Sequence, residues 1–356
     1  MIATLVLLLL GFQASSPEAL QHMQAGAAAE KSGHFDVAIS EFRQATELEP
    51  TAASGFVSLG QAYLEKGDYG HAIAPLKQAL KLSPDLNAAH QLLGYALLAQ
   101  GYSAEAVPHL EKSGDEAALG IAQLEAGQLS SAVTNLQAAL AKRPNDPDLL
   151  YYFGRASGLL SKQSIDTLIA GYPDSARAHQ AMAENYYVLR QMPQAEKEFQ
   201  EAIKLRPDIP KLHLELGLVY QGASQWPKAE EAFRAETKMQ PGNAEAAYRL
   251  GNALLQQGKV KEARAELKRS DALEPGMPET LYALGKAAAL ENDAPAAEKA
   301  WTRVIDLEKG SGLAAQAHFA LAGLYRKQGK MEAAEREMSE FKKLQNTSAP
   351  PEGPQP

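Results

Sequence analysis

Five prolines set a period along much of this chain. Pro50 and Pro84 lie 34 residues apart, as do Pro207 and Pro241, and Pro241 and Pro275. Each closes a run such as "QATELEP", "QALKLSP", "EAIKLRP" or "SDALEP", and a helix stops there because the residue before a proline is driven out of the α region. Self-similarity at a fixed period of this length marks a stack of like supersecondary units and outranks any local reading of single residues. It also accounts for size: 356 residues exceed one ordinary core, yet no composition break divides the chain into unlike domains.

Counting back from each proline, the same side-chain types recur. Leu59, Gly60, Tyr63, Gly67, Ala72, Leu76 and Ala79 precede Pro84; Leu216, Gly217, Tyr220, Ala229 and Phe233 precede Pro241; Leu250, Gly251, Leu254, Gly258, Ala263 and Leu267 precede Pro275. Gly60, Gly94, Gly120, Gly154, Gly217, Gly251 and Gly285 fall inside a predicted first helix, where glycine costs about 1 kcal/mol against alanine. That cost implies close approach of a second helix, on which Ala72, Ala106, Ala132, Ala195, Ala229, Ala263, Ala297 and Ala334 are the matching small residues. Large side chains such as Phe42, Leu76, Phe199, Phe233, Leu267 and Trp301 come one turn later. Pro193, Pro227 and Pro295 share a place suited to the first helical residue, whereas Pro75 and Pro108 fall deeper and should bend the second helix or leave a carbonyl unpaired.

This pattern resembles the tetratricopeptide repeat, a 34-residue helix-turn-helix unit. The resemblance implies an all-α protein, a right-handed α-solenoid or superhelix. Ten units start near residues 19, 53, 87, 113, 147, 176, 210, 244, 278 and 315, covering 19–345. The third and fifth are short by 8 and 5 residues. In the fifth, placing the deletion in the inter-helix turn puts Ser161 and Ile165 at the small and large places. Residues 346–356, "NTSAPPEGPQP", cannot bury enough apolar surface to order themselves.

The chemistry excluded is broad. With 35 basic against 43 acidic residues, a net charge of -8 and no basic block interleaved with aromatics, no nucleic-acid partner is expected. No cysteine means no disulfide, thiolate metal site or cysteine nucleophile. Five of eight histidines, His22, His90, His179, His213 and His318, occupy one place of the first helix, which favours packing over metal binding or catalysis. His71, beside Asp68 and Tyr69, sits just after an inter-helix turn and has no counterpart in other units. There is no HExxH, GxSxG or phosphate loop; no cofactor, metal or enzymatic activity is expected.

Ile2 to Phe12 is an apolar run of signal-peptide length, followed by Ala14, Ser15 and Ser16. Residues 1–14 are therefore read as a signal peptide cut after Ala14, which implies an exported, periplasmic or secreted protein with no membrane span after cleavage. If the run is not a signal, the protein is cytoplasmic.

The family resemblance places a concave wall on the first helices, and residues not used for packing recur there once per turn. They are Tyr151 and Arg155; Arg177, Gln180, Glu184 and Tyr187; Lys211 and Gln221; Tyr248 and Asn252; Tyr282 and Lys286; and Phe319 and Arg326. Tyrosine with Arg and Asn is the composition of a surface that binds a peptide or partner protein. The first four units offer the more apolar Leu20, Met23, Val57, Leu64, Tyr95, Leu98, Ile121 and Leu124, a wall for a ligand, a neighbouring helix or a second copy in a homo-oligomer. Some family members hold an acidic chain end with Lys, Asn and Arg; Asn252 occupies one such place, but its partners do not align, so that ligand is not expected.

Overall fold

A computed structural model describes residues 16–347, leaving the expected signal peptide outside the described residues. These residues form nineteen α-helices and no strand. The first eight are α1 (Pro17–Lys31), α2 (Phe35–Leu48), α3 (Ala53–Glu65), α4 (Tyr69–Leu82), α5 (Asn87–Ala99), α6 (Ser103–Ser113), α7 (Glu116–Glu125) and α8 (Leu129–Lys142). A long α9 (Pro147–Gly171) follows, then α10 (Ala176–Val188), α11 (Met192–Leu205), α12 (Leu212–Gly222), α13 (Trp226–Met239), α14 (Ala244–Gln256) and α15 (Val260–Leu273). The last four are α16 (Pro278–Leu290), α17 (Ala294–Leu307), α18 (Gly312–Lys327) and α19 (Met331–Thr347).

Contacts divide the chain into two compact units, residues 1–164 and 165–356, with the boundary inside α9. In the first unit α1 pairs with α2, α3 with α4, α5 with α6 and α7 with α8; in the second α10 pairs with α11, and so on to α18 with α19. Consecutive pairs also touch, as α4 does α5 and α13 does α14. This repetition of helix pairs is an α-solenoid.

The repeated glycines act as the sequence implies. A Cβ on Gly60 would lie 2.5 Å from Leu76 Cγ, and one on Gly217 or Gly285 would overlap the ring of Phe233 or Trp301. The first helix thus lies against the large side chain of the second, and Leu76, Phe233 and Leu267 are fully buried with the small Ala72, Ala229 and Ala263 beside them. Each inter-helix turn contains a left-handed residue that ends the first helix. Gly67 (φ 82°) gives its N–H to Leu64 O at 2.9 Å, and Asp68 its N–H to Tyr63 O at 2.8 Å, the backbone reversal that satisfies last-turn carbonyls. Where glycine is missing, Arg190, Ser224 and Asn292 take the same conformation.

The fifth unit departs from the expected turn. α9 runs unbroken through 147–171, and no residue in it has positive φ. The shortfall of residues removes the left-handed stop, so the first helix continues into what should have been the second. A Cβ on Gly154 would accordingly meet no atom within 4 Å, and Ser161 and Ile165 are exposed instead of packed. Smaller differences follow the same logic of local backbone. Pro193, Pro227 and Pro295 are the second helical residue, not the first, and α4 and α6 continue through Pro75 and Pro108. Asn346 and Thr347, expected in the tail, close α19; 348–356 lie outside the described residues.

Candidate functional site

The candidate binding residues of the second unit divide by what they already bond. On α10, Arg177 Nη1 donates to Gln180 Oε1 at 2.6 Å, and Gln180 Nε2 donates to Glu184 Oε1 at 2.9 Å and across to Glu215 Oε2 on α12 at 3.2 Å. Glu215, which the sequence reading missed, is half-buried; burial, with Glu184 adding to it, pushes its carboxyl up to about 7. Lys211 precedes α12 as its N-cap in the left-handed region (φ 71°), and its backbone N–H donates at 3.2 Å to Glu236 Oε1, a fully buried carboxylate on α13. Gln221 and Tyr187 are half-buried, and Tyr187 packs against the core. Arg177, Gln180 and Glu184 are thus bonded to one another and to Glu215, whereas Gln221 Oε1 and Glu236 Oε2 are buried without a hydrogen-bond partner among the described residues.

Along α14 and α16 the situation is the reverse. Tyr248 and Asn252 are one turn apart on α14, and Tyr282 and Lys286 repeat that spacing on α16, each 34 residues on. The two helices touch, so the four side chains make a patch of two tyrosines beside an amide and an ammonium. Tyr248 and Tyr282 are half-buried, and burial raises both phenols. Arg249 lies 5.4 Å from the Tyr248 ring centroid, and Trp301 Nε1 donates to the Tyr282 carbonyl at 3.1 Å, which fixes the backbone beneath that tyrosine. Among the described residues, nothing hydrogen-bonds the Tyr248 or Tyr282 hydroxyl, the Asn252 amide or the Lys286 ammonium. Phe319 on α18 is exposed but packs tilted against Phe341 of α19, with ring centroids 5.2 Å apart, and Arg326 is exposed.

The first unit places its candidates otherwise. Tyr151 is 61% exposed on α9; Arg155 lies 5.9 Å from its ring and gives Nη1 to Glu125 at 3.2 Å, so the pair is already engaged. Of its apolar wall, Met23, Val57, Leu64, Leu98 and Ile121 are half-buried, Leu20 is exposed and Leu124 buried. Two polar features were missed there. The Tyr95 hydroxyl donates to Asp115, and Gln91 Nε2 donates to Tyr95 at 2.8 Å. Glu30 carries a buried Oε1 with no partner, and burial, reinforced by Glu65, pushes its carboxyl up to about 7.

The shared histidine place proves to be more than packing. His22, His179 and His318 each donate Nδ1–H to a glutamate 19 residues on, Glu41, Glu198 and Glu337, at 2.6–2.7 Å. That spacing was readable once the helix pairs were in register. His71 Nδ1 bonds Asp68, whose carboxylate also accepts the His71 N–H and so caps α4. Among the described residues no group of three or more His, Cys, Asp or Glu is arranged to hold a metal ion, and no helix is long and apolar enough to cross a membrane.

Comparison with known proteins follows the same lines. Three solved structures are similar: MamA 41-end from Desulfovibrio magneticus RS-1 (18% identity over 50% of this chain and 98% of that one, TM-score 0.47); YrrB, described as a TPR protein with an unusual peptide-binding site (18%, 52% and 93%, 0.45); and yeast Tom70 (14%, 92% and 92%, 0.42). All three scores are below 0.5, so family membership rests elsewhere. A comparison with curated proteins gives no match. The model of the tetratricopeptide repeat matches residues 23–87, 57–114, 117–157, 214–278 and 282–348, well over half the chain, and passes over 158–213, the second half of α9 with α10 and α11. With its helix pairs, turn residues and buried glycine contacts, the chain belongs to the tetratricopeptide repeat family.

Proposed function

We propose that the protein is a non-catalytic interaction scaffold that binds an extended peptide segment of a partner protein along the first-helix face of its second unit. The observation that carries this reading is the α14–α16 patch, where two tyrosine hydroxyls, an amide and an ammonium make no hydrogen bond among the described residues. The polar ends of these four side chains are open to solvent and not bonded among the described residues, so a peptide backbone can offer them donors and acceptors in exchange for water. The tyrosines add rigid amphipathic area at low entropic cost. The stacked helices hold the patch in place, so the flexible ligand bears most of the ordering cost.

Pull-down from the native host with the parent chain and a Tyr248→Ala, Asn252→Ala, Tyr282→Ala variant tests this. Loss of a partner by at least about tenfold is expected, since truncating two anchoring tyrosines removes more than 1 kcal/mol each. A variant that keeps its helical circular dichroism and every partner sinks the proposal.

The reading extends to work outside the cytoplasm, in envelope assembly or secretion, supported by the apolar run Ile2 to Phe12 and the small residues after it. Amino-terminal sequencing of protein from its native host is expected to begin near Ser15; an intact Met1 on cytoplasmic protein removes this part. Self-association through the apolar wall of the first unit is the competing outcome, and mass that rises with concentration in light scattering would reveal it.

A further inference from the structure

Two helix pairs break the histidine–glutamate rule, and after His213 the matching place holds Ala232, which offers no ring or carboxylate. In the shortened third repeat the place 19 residues after His90 holds His109, not glutamate. The two rings face each other with Nδ1 to Nδ1 at 2.8 Å and centroids 5.0 Å apart. His90 is 4% exposed, and its Nε2 lies 2.8 Å from the Pro84 carbonyl. A carbonyl only accepts, so His90 Nε2 carries the hydrogen and His90 Nδ1 presents a lone pair to His109. A ring nitrogen held in one tautomer by a carbonyl on its far side is the support that metal-ligating histidines use.

We propose that His90 Nδ1 and His109 Nδ1 form a two-imidazole site for a borderline divalent ion of the Zn²⁺ class, which clips α5 to α6. An ion bound at Zn–N of about 2.0–2.1 Å in tetrahedral geometry sets the two nitrogens about 3.3 Å apart, so the rings part by roughly half an ångström. His109 is half-exposed on α6 and has room to give. Binding moves one proton: His109 loses Nδ1–H to solvent and gains Nε2–H from it, with no net release. His90 needs no change.

Among the described residues no third His, Cys, Asp or Glu completes the group, so water fills the remaining positions and affinity is modest. The charged neighbours of His109 are Lys77, Lys112 and Glu105. Glu105 is one turn earlier on α6 and 4.0 Å from Lys77. The other histidine pairs are worse hosts, because a glutamate already holds each Nδ1–H. A clip is useful here, since α6, at 11 residues, is the shortest second helix.

The test is calorimetric titration of Zn²⁺ into the untagged, chelator-stripped full chain. One equivalent is expected to bind, and the affinity should fall at least about tenfold in His109→Gln, the scale of losing metal support, but stay unchanged in His318→Gln. Zn²⁺ should also raise the melting temperature of the parent and not of His109→Gln. Because His109 is half-exposed, that variant keeps the fold, and circular dichroism verifies it. Absence of saturable binding, equal affinity of the parent and His109→Gln, or loss in His318→Gln instead would overturn the site.

Discussion

The α14–α15 repeat and the α9 stretch begin from the same pattern and end differently. Gly251 and Gly154 hold one place of the repeat, and Leu267 and Ile165 another. In the first, Gly258 at φ 74° ends α14, the chain turns, and Leu267 returns to within 2.6 Å of where a Gly251 Cβ would be. In the second there is no left-handed residue, the helix runs on, and Gly154 meets nothing. Close packing in this fold therefore depends on the turn that precedes it. Small and large residues at the right places do not make a helix pair unless something stops the first helix.

Truncating the large residue should separate the two regions most. Leu267→Ala removes a fully buried side chain and should cost about 3 kcal/mol, the transfer term plus a cavity. Ile165→Ala, at a residue 38% exposed, should stay within about 1 kcal/mol. Equal losses in urea unfolding would mean that α9 is packed as a true repeat. The glycines should then differ in sign. Gly251→Ala drives a methyl into Leu267 and should destabilise by about 1–3 kcal/mol, whereas Gly154→Ala gains helix propensity and should stabilise by up to about 1 kcal/mol. Stability in a repeat array is local, so each effect should appear in the transition of its own unit.

Most of the fold was legible because the period, the buried glycines and the second-helix alanines are all consequences of one contact repeated. The fifth unit was not, because side-chain pattern and turn chemistry disagree there, and turn chemistry prevails. The candidate surface was legible only as a face. Spacing located Tyr248, Asn252, Tyr282 and Lys286, but it also picked Arg177, Gln180 and Glu184, which bond one another and Glu215. Which groups remain available is decided by partners on neighbouring helices, and their distances are invisible in a single sequence. The histidines show the same boundary. Their shared place was visible, while the glutamates 19 residues on became meaningful only when the second helix was set in register.

Two half-buried carboxylates, one in each unit, give the smallest effect and the one most specific in pH. Glu30 and Glu215 are both pushed up to about 7 from 4.5, chiefly by burial. Between these values the folded chain holds a proton that the unfolded chain has released, so the folded state binds more protons and stability falls as pH rises through about 7. The contribution is fully present below about 4.5 and lost above about 7. Glu30→Gln and Glu215→Gln replace each charge with a neutral group of like shape, and the amide introduced by Glu215→Gln would still accept from Gln180. Both groups are only half-buried, so solvent screening reduces the gain to about 1 kcal/mol each at pH 8, a rise of about 2–4 °C in the melting temperature of a unit of this size. At pH 4.5 the variants and the parent should melt together. A shift of the same size at both pH values would mean that the charge of the carboxylate has no part in the effect, and would break the parallel between the two units.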